Sequence, residues 1–215
     1  MNRYDTLLFD LDGTLTDSQE GIINCMRFAI EKMGYEMPQD TAKFLGPPLY
    51  QSFADFLGMN EEQVNEAVKL FRERYSTIGL FENRIYNGIP EMLQRLKDGG
   101  MRLMVATSKP RDYALRILDK FGLLHFFEVV GGACLDGTRN YKHEVIEYVF
   151  AESGISDRSG VLMIGDRKQD VLGAHDTGLK CMGVLWGYGS HEELNEAGAD
   201  MIAASPSQAA DMLLK

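Results

Sequence analysis

The sequence predicts an α/β protein: a doubly wound parallel sheet with a small all-helical domain inserted into it. Three observations carry that expectation. From residue 88 onward, short apolar runs alternate with amphipathic stretches, the pattern of repeated strand–helix–strand units. Most of those runs are apolar throughout instead of alternating, so both faces of the sheet are expected to be covered. Residues 18–84 break the rhythm, with helical periodicity and no credible strand.

The elements follow in order. "TLLFDLD" (6–12) opens as a strand. "SQEGIINCMRFAIEKMG" (18–34) places Ile22, Met26, Ala29, Ile30 and Met33 on one helical face, with Ser18 as N-cap and Gly34 as the stop. "YQSFADFLG" and "EEQVNEAVKLFRERYSTIG" are helical too, and "FLGPPL" (44–49) reads first as a turn between helices. "IPEMLQRLKDGG" carries Pro90 near a first turn and ends on glycine. "RDYALRILDKFG" and "KHEVIEYVFAESG" also close on glycine. Strands are expected at 101–108, 126–132, 160–166, 180–187 and, more weakly, 200–204. The domains are therefore a discontinuous core of 1–15 with 85–215 and a helical cap of 16–84, hinged near 14–18 and 81–88.

Bulk properties narrow the function. Hydrophobic residues make up 45% and charged residues 25%, as in ordinary globular proteins. A net charge of −10 argues against a nucleic-acid polymer as partner, since phosphate backbones call for a basic surface. No membrane is expected either: no run approaches the length of a span, and no signal peptide opens the chain. Cys25, Cys134 and Cys181 lie far apart with no CxxC, which suits free thiols and a cytoplasmic location. The pattern leaves monomer and homodimer equally open.

In an open parallel sheet, ligands bind beyond the carboxyl ends of the strands, where strand order reverses. The residues there are Asp10, Asp12 and Gly13 after the first strand, and Thr107, Ser108 and Lys109 after the second. Asp166 and Asp170 follow in "GDRKQD", and Lys142 stands just ahead of a helix. Several carboxylates at one spot repel unless a divalent cation sits among them, and oxygen-only ligands suit a hard ion, Mg2+. The chemistry this fits is phosphoryl transfer to a carboxylate, with Asp10 as nucleophile and Asp12 as general acid and base. Thr107 and the groups after it would hold the transferring oxygens, and Lys142 would offset their charge. Gly13 lets the backbone approach phosphate closely. Trp186 and Tyr188, in a glycine-flanked loop, either edge this site or pack.

"DLDGT" (10–14), the hydroxyl ending "VATS", the isolated Lys142 and "GDRKQD" (165–170) resemble, in order, the four motifs of the haloacid dehalogenase superfamily. The helical insert resembles the cap of its phosphoglycolate-phosphatase-like branch, with a Rossmann-like core. The resemblance implies Asp10 as nucleophile, Asp12 as acid/base, Thr107 as phosphate ligand and Lys142 as the charge-stabilising lysine. It also implies Mg2+ held by Asp10, the Asp12 main-chain carbonyl and Asp166, with Asp170 in support. One departure is His143, where the family often has proline after the lysine. The second aspartate sets the chain apart from members that dehalogenate or cleave carbon–phosphorus bonds. Phosphomonoester hydrolysis on a small phosphorylated metabolite remains, with phosphosugar mutase, pyrophosphatase or a silent phosphate-ligand sensor as alternatives. "FLGPPL", "LFENRIYNGI" (80–89), "CLDGTRNYK" (134–142) and "GVLWGYGS" (183–190) are similar to bacterial members labelled phosphoglycolate phosphatase or 5′-nucleotidase.

Overall fold

A computed structural model describes residues 4–46, 49–136 and 138–215. In chain order they form β1 (Thr6–Phe9), β2 (Thr16–Asp17), α1 (Gln19–Lys32), α2 (Leu49–Leu57), α3 (Glu61–Tyr75), β3 (Arg84–Ile85), α4 (Ile89–Asp98), β4 (Arg102–Pro110) and α5 (Arg111–Lys120). Then come β5 (Val129–Ala133), α6 (Lys142–Ser153), β6 (Val161–Gly165), α7 (Lys168–Asp176), β7 (Lys180–Val184), α8 (His191–Glu196), β8 (Met201–Ala203) and α9 (Pro206–Leu213). Two compact units result, Met1–Thr16 with Ile85–Lys215 and Asp17–Arg84.

The first unit is built on a six-stranded sheet in the order β5-β4-β1-β6-β7-β8, every neighbouring pair parallel. From central β1 the chain lays β4 and β5 on one side, then β6, β7 and β8 on the other. The strand order reverses at β1, which puts its carboxyl end at the switch point. Successive side chains of a strand face opposite sides of the sheet, and here both sides are dry. Leu8, Met104 and Met163 join a core with Val145 and Val149 of α6 and Val171 of α7. Phe9, also fully buried, meets Phe127 edge-on.

β1 ends at Phe9, three residues before the expected Asp12. The Asp10 amide still donates to the Ile164 carbonyl at 2.9 Å. The Leu11 amide then turns to Asp10 Oδ1 at 2.7 Å, and the Leu11 carbonyl accepts from Thr14, Leu15 and Thr16. A turn therefore replaces the ladder where the carboxylates begin.

The second unit is helical, with one departure from expectation: Arg84 lies in a strand, since β2 and β3 form a two-stranded sheet. Strands of two residues are too short to leave a periodic trace. Ser18 makes no side-chain capping bond to α1; Asp17 Oδ1 accepts from the Gln19 amide instead, at 3.2 Å. The buried face of α1 is Gly21, Ile23, Cys25, Met26, Ala29 and Ile30, so the expected Ile22 and Met33 sit at its margin, half-buried. Gly34, with φ +79°, does end the helix. Asn60 caps α3 through a reciprocal pair with Gln63. Pro47 and Pro48 of "FLGPPL" and Gly137 of "CLDGTRNYK" lie outside the described residues. No helix among the described residues is long and apolar enough to cross a membrane. Cys25, Cys134 and Cys181 form no disulfide.

Candidate active site

The parallel register sets the level of the site. Phe9 pairs with Val105 on one side and Ile164 on the other, so Asp10 stands level with Ala106 and Gly165. Lys142, the first residue of α6, reaches under this rim. Its ammonium donates to the Ala106 carbonyl at 2.9 Å and pairs with Asp10 Oδ1 at 3.0 Å and Asp170 Oδ1 at 2.8 Å. An ammonium has three donors, and all three are accounted for. Burial by itself would push Lys142 down, but Asp10 and Asp170 outweigh it and hold the group well above the usual lysine range.

One carboxylate oxygen each from Asp10, Asp166 and Asp170 lies within 4.8 Å of the others. Asp166 is fully buried, its Oδ1 accepting from Thr14 Oγ1 at 3.0 Å and its Oδ2 from the Tyr188 amide at 2.8 Å. Burial first, then Asp170 and Asp10, push its carboxyl well up; the Tyr188 amide and Thr14 hydroxyl pull the other way. Asp170 is pushed up to about 6, chiefly by burial, with Lys142 opposing. Its Oδ2 also accepts from the Arg167 amide at 3.0 Å, so this residue caps α7 and faces the site at once. Three carboxylates against one lysine leave excess negative charge in a dry place, and their oxygen-only donor set fits a hard divalent cation.

The neighbouring groups divide. Asp12 Oδ2 pairs with Lys109 Nζ at 2.5 Å, while its Oδ1 is buried with no hydrogen-bond partner among the described residues. Lys109, expected to meet phosphate, is thus buried against Asp12. Thr107 is buried within β4, just before the register of that strand shifts, its hydroxyl oxygen accepting from the Lys109 amide at 3.2 Å. Ser108 is exposed. Gly13 has φ +85°, and a Cβ there would collide with the Asp166 carboxylate.

The matching family is described as haloacid dehalogenase-like hydrolase, and the match covers residues 7–184. The chain belongs to that family. Among relatives of this haloacid dehalogenase-like hydrolase is a Pseudomonas aeruginosa protein named 5′-nucleotidase, 45% identical over 89% of this chain and 87% of that one. Another, from Mycobacterium tuberculosis, is named tyrosine-protein kinase PtkA; it is 36% identical over 91% of this chain and 67% of its own. A solved structure described as a predicted phosphatase from Clostridium acetobutylicum superposes with a TM-score of 0.93, at 40% identity and 98% coverage of both chains. The enzyme is accordingly a haloacid dehalogenase-type phosphatase.

Sequence reasoning missed four parts of this site: the Thr14 hydroxyl, the Ala106 carbonyl, the Tyr188 amide and the Lys109–Asp12 pair. Three depend on main-chain groups or on a turn geometry that no residue letter encodes. Thr14, inside "DLDGT", was the one within reach.

Proposed function

We propose that the enzyme hydrolyses nucleoside 5′-monophosphates in the presence of Mg2+, through a phosphoryl group carried on Asp10. The observation that carries this reading is the clustering of Asp10, Asp166 and Asp170, one carboxylate oxygen of each within 4.8 Å of the others, with Lys142 paired to Asp10 and Asp170 at the switch point. The resemblance of the chain to a protein named 5′-nucleotidase supports the substrate class. Asp10, Asp166, Asp170 and the Asp12 carbonyl would hold the metal, which when bound screens phosphate charge and polarises the phosphoryl group.

Asp10, its Oδ1 steadied by the Leu11 amide and Lys142, forms a bond to phosphorus as the ester P–O bond breaks. Asp12 gives a proton to the departing nucleoside oxygen. It then takes one from the water that attacks the acyl phosphate, releasing inorganic phosphate and restoring Asp10. The Lys109 pair holds Asp12 for that work. Thr107 binds a transferring oxygen, and Lys142 keeps a fixed positive charge beneath the reacting carboxylate.

The test is a panel of nucleoside 5′-monophosphates, phosphoglycolate, pyrophosphate and sugar phosphates, compared by kcat/KM with Mg2+. Nucleoside monophosphates are expected to lead and to release phosphate, not relocate it as a mutase does. Asp10→Asn is expected to be inactive; activity surviving that change would remove the nucleophile from the scheme.

A further inference from the structure

The loop that follows β7, "LWGYGS" (185–190), is tied to the site at four points that the catalytic reading leaves unused. The Tyr188 amide donates to Asp166 Oδ2 at 2.8 Å. The Trp186 indole Nε1 donates to the Thr14 carbonyl at 2.9 Å, and the Thr14 hydroxyl donates onward to Asp166 Oδ1 at 3.0 Å. Both glycines close against the same residues: a Cβ on Gly187 would strike the Gly13 carbonyl oxygen and Asp166 Cβ, and one on Gly189 would strike the Asp166 carbonyl oxygen. Thr14 is fully buried and is held at both polar ends, by Trp186 through its carbonyl and by Asp166 through its hydroxyl.

We infer that this loop is a strap that fixes Asp166 against the 10–14 turn, and that Trp186 is a positioning residue for the metal centre. The inference rests on the metal-centre reading above. Each carboxylate oxygen has two acceptor directions, so a donor on each still leaves a lone pair for a cation. What the donors set is the orientation of the carboxylate relative to Asp10 and the Asp12 carbonyl. Losing such an outer partner typically costs about 10- to 100-fold in metal affinity. Trp186 acts at one remove: without its N–H the Thr14 carbonyl is left unpaired, and the turn carrying both Thr14 and the Asp12 carbonyl loses its outer anchor. If the indole merely packed, an aromatic ring of similar shape would do as well.

The experiment titrates full-length protein with Mn2+, followed by water-proton relaxation, with Mg2+ as competitor. Trp186→Phe and Thr14→Val are each expected to weaken both ions about tenfold. Thr14→Ser, which keeps the hydroxyl, is expected to bind as the wild type does. The double variant is expected to lose less than the product of the two single losses, because both act on one linked set of bonds. Melting temperatures recorded without metal identify a variant that is merely unfolded, and the Thr14→Val and Thr14→Ser pair then decides the matter. Wild-type affinity in folded Trp186→Phe overturns the strap while leaving the metal centre intact. No binding by the wild type, with Asp166→Asn unchanged from it, overturns the metal centre and the strap together.

Discussion

Lys142 shows how one side chain is committed by its surroundings. Its three donors go to one main-chain carbonyl and two carboxylates, and the side chain is buried. Removing a buried partner leaves its counter-charges unpaired, at a cost of about 3–5 kcal/mol. Lys142→Met is therefore expected to unfold at lower denaturant and to lose about 10²-fold or more in kcat. Lys142→Arg is not expected to restore activity, because a planar fork cannot direct three donors to Ala106, Asp10 and Asp170 as an ammonium does. Near wild-type turnover of an aryl phosphate by Lys142→Met would make this lysine a structural residue only.

Among elements, α3 of the helical unit is held near its end by more than apolar contact. Arg74 meets Glu82 with two bonds, 2.6 and 2.8 Å, and its Nη1 also donates to Cys25 Sγ of α1 at 3.2 Å. Both partners of the ion pair are less than a quarter exposed, so solvent screens it weakly. The hydrogen bond from Arg74 holds the Glu82 carboxyl below its usual range. Glu82→Ala would strand the guanidinium and is expected to cost about 2 kcal/mol, read from the urea midpoint at constant slope. The deficit should shrink in acid, where the wild-type Glu82 itself takes up a proton. A variant as stable as the wild type at neutral pH would show the pair to be idle.

Over the whole molecule, the acidic centre should set how stability depends on pH in the absence of metal. Burial pushes Asp170 up to about 6 against an ordinary value near 3.8, and Asp166 is raised as well. Between about pH 4 and 6 the folded chain holds protons that the unfolded chain has released. Folding is then favoured by acid, and stability falls as pH rises through 6. Below that window the sign reverses as carboxyls with depressed values, Glu82 among them, are protonated. The metal-free melting temperature is expected to rise from pH 7.5 to 5.5, and Asp170→Asn to flatten that slope. A wild-type profile that is level or falls toward acid would contradict the assignment.

The strands were legible because burial on both faces leaves continuous apolar runs such as "VLMIG", and the helices because amphipathic spacing and glycine stops are local signals. The sequence by itself determined the α/β class, the helical insertion and the aspartates and lysine at the strand ends. Only the tertiary structure decided the partners: that Lys109 meets Asp12, that Asp170 both caps α7 and faces Lys142, and that the 185–190 loop grips Asp166. Class is written in local periodicity, which any stretch of chain displays. Partnership depends on main-chain groups and on residues up to 172 positions apart, as for Trp186 and Thr14, and exists only once the sheet has brought the strand ends together.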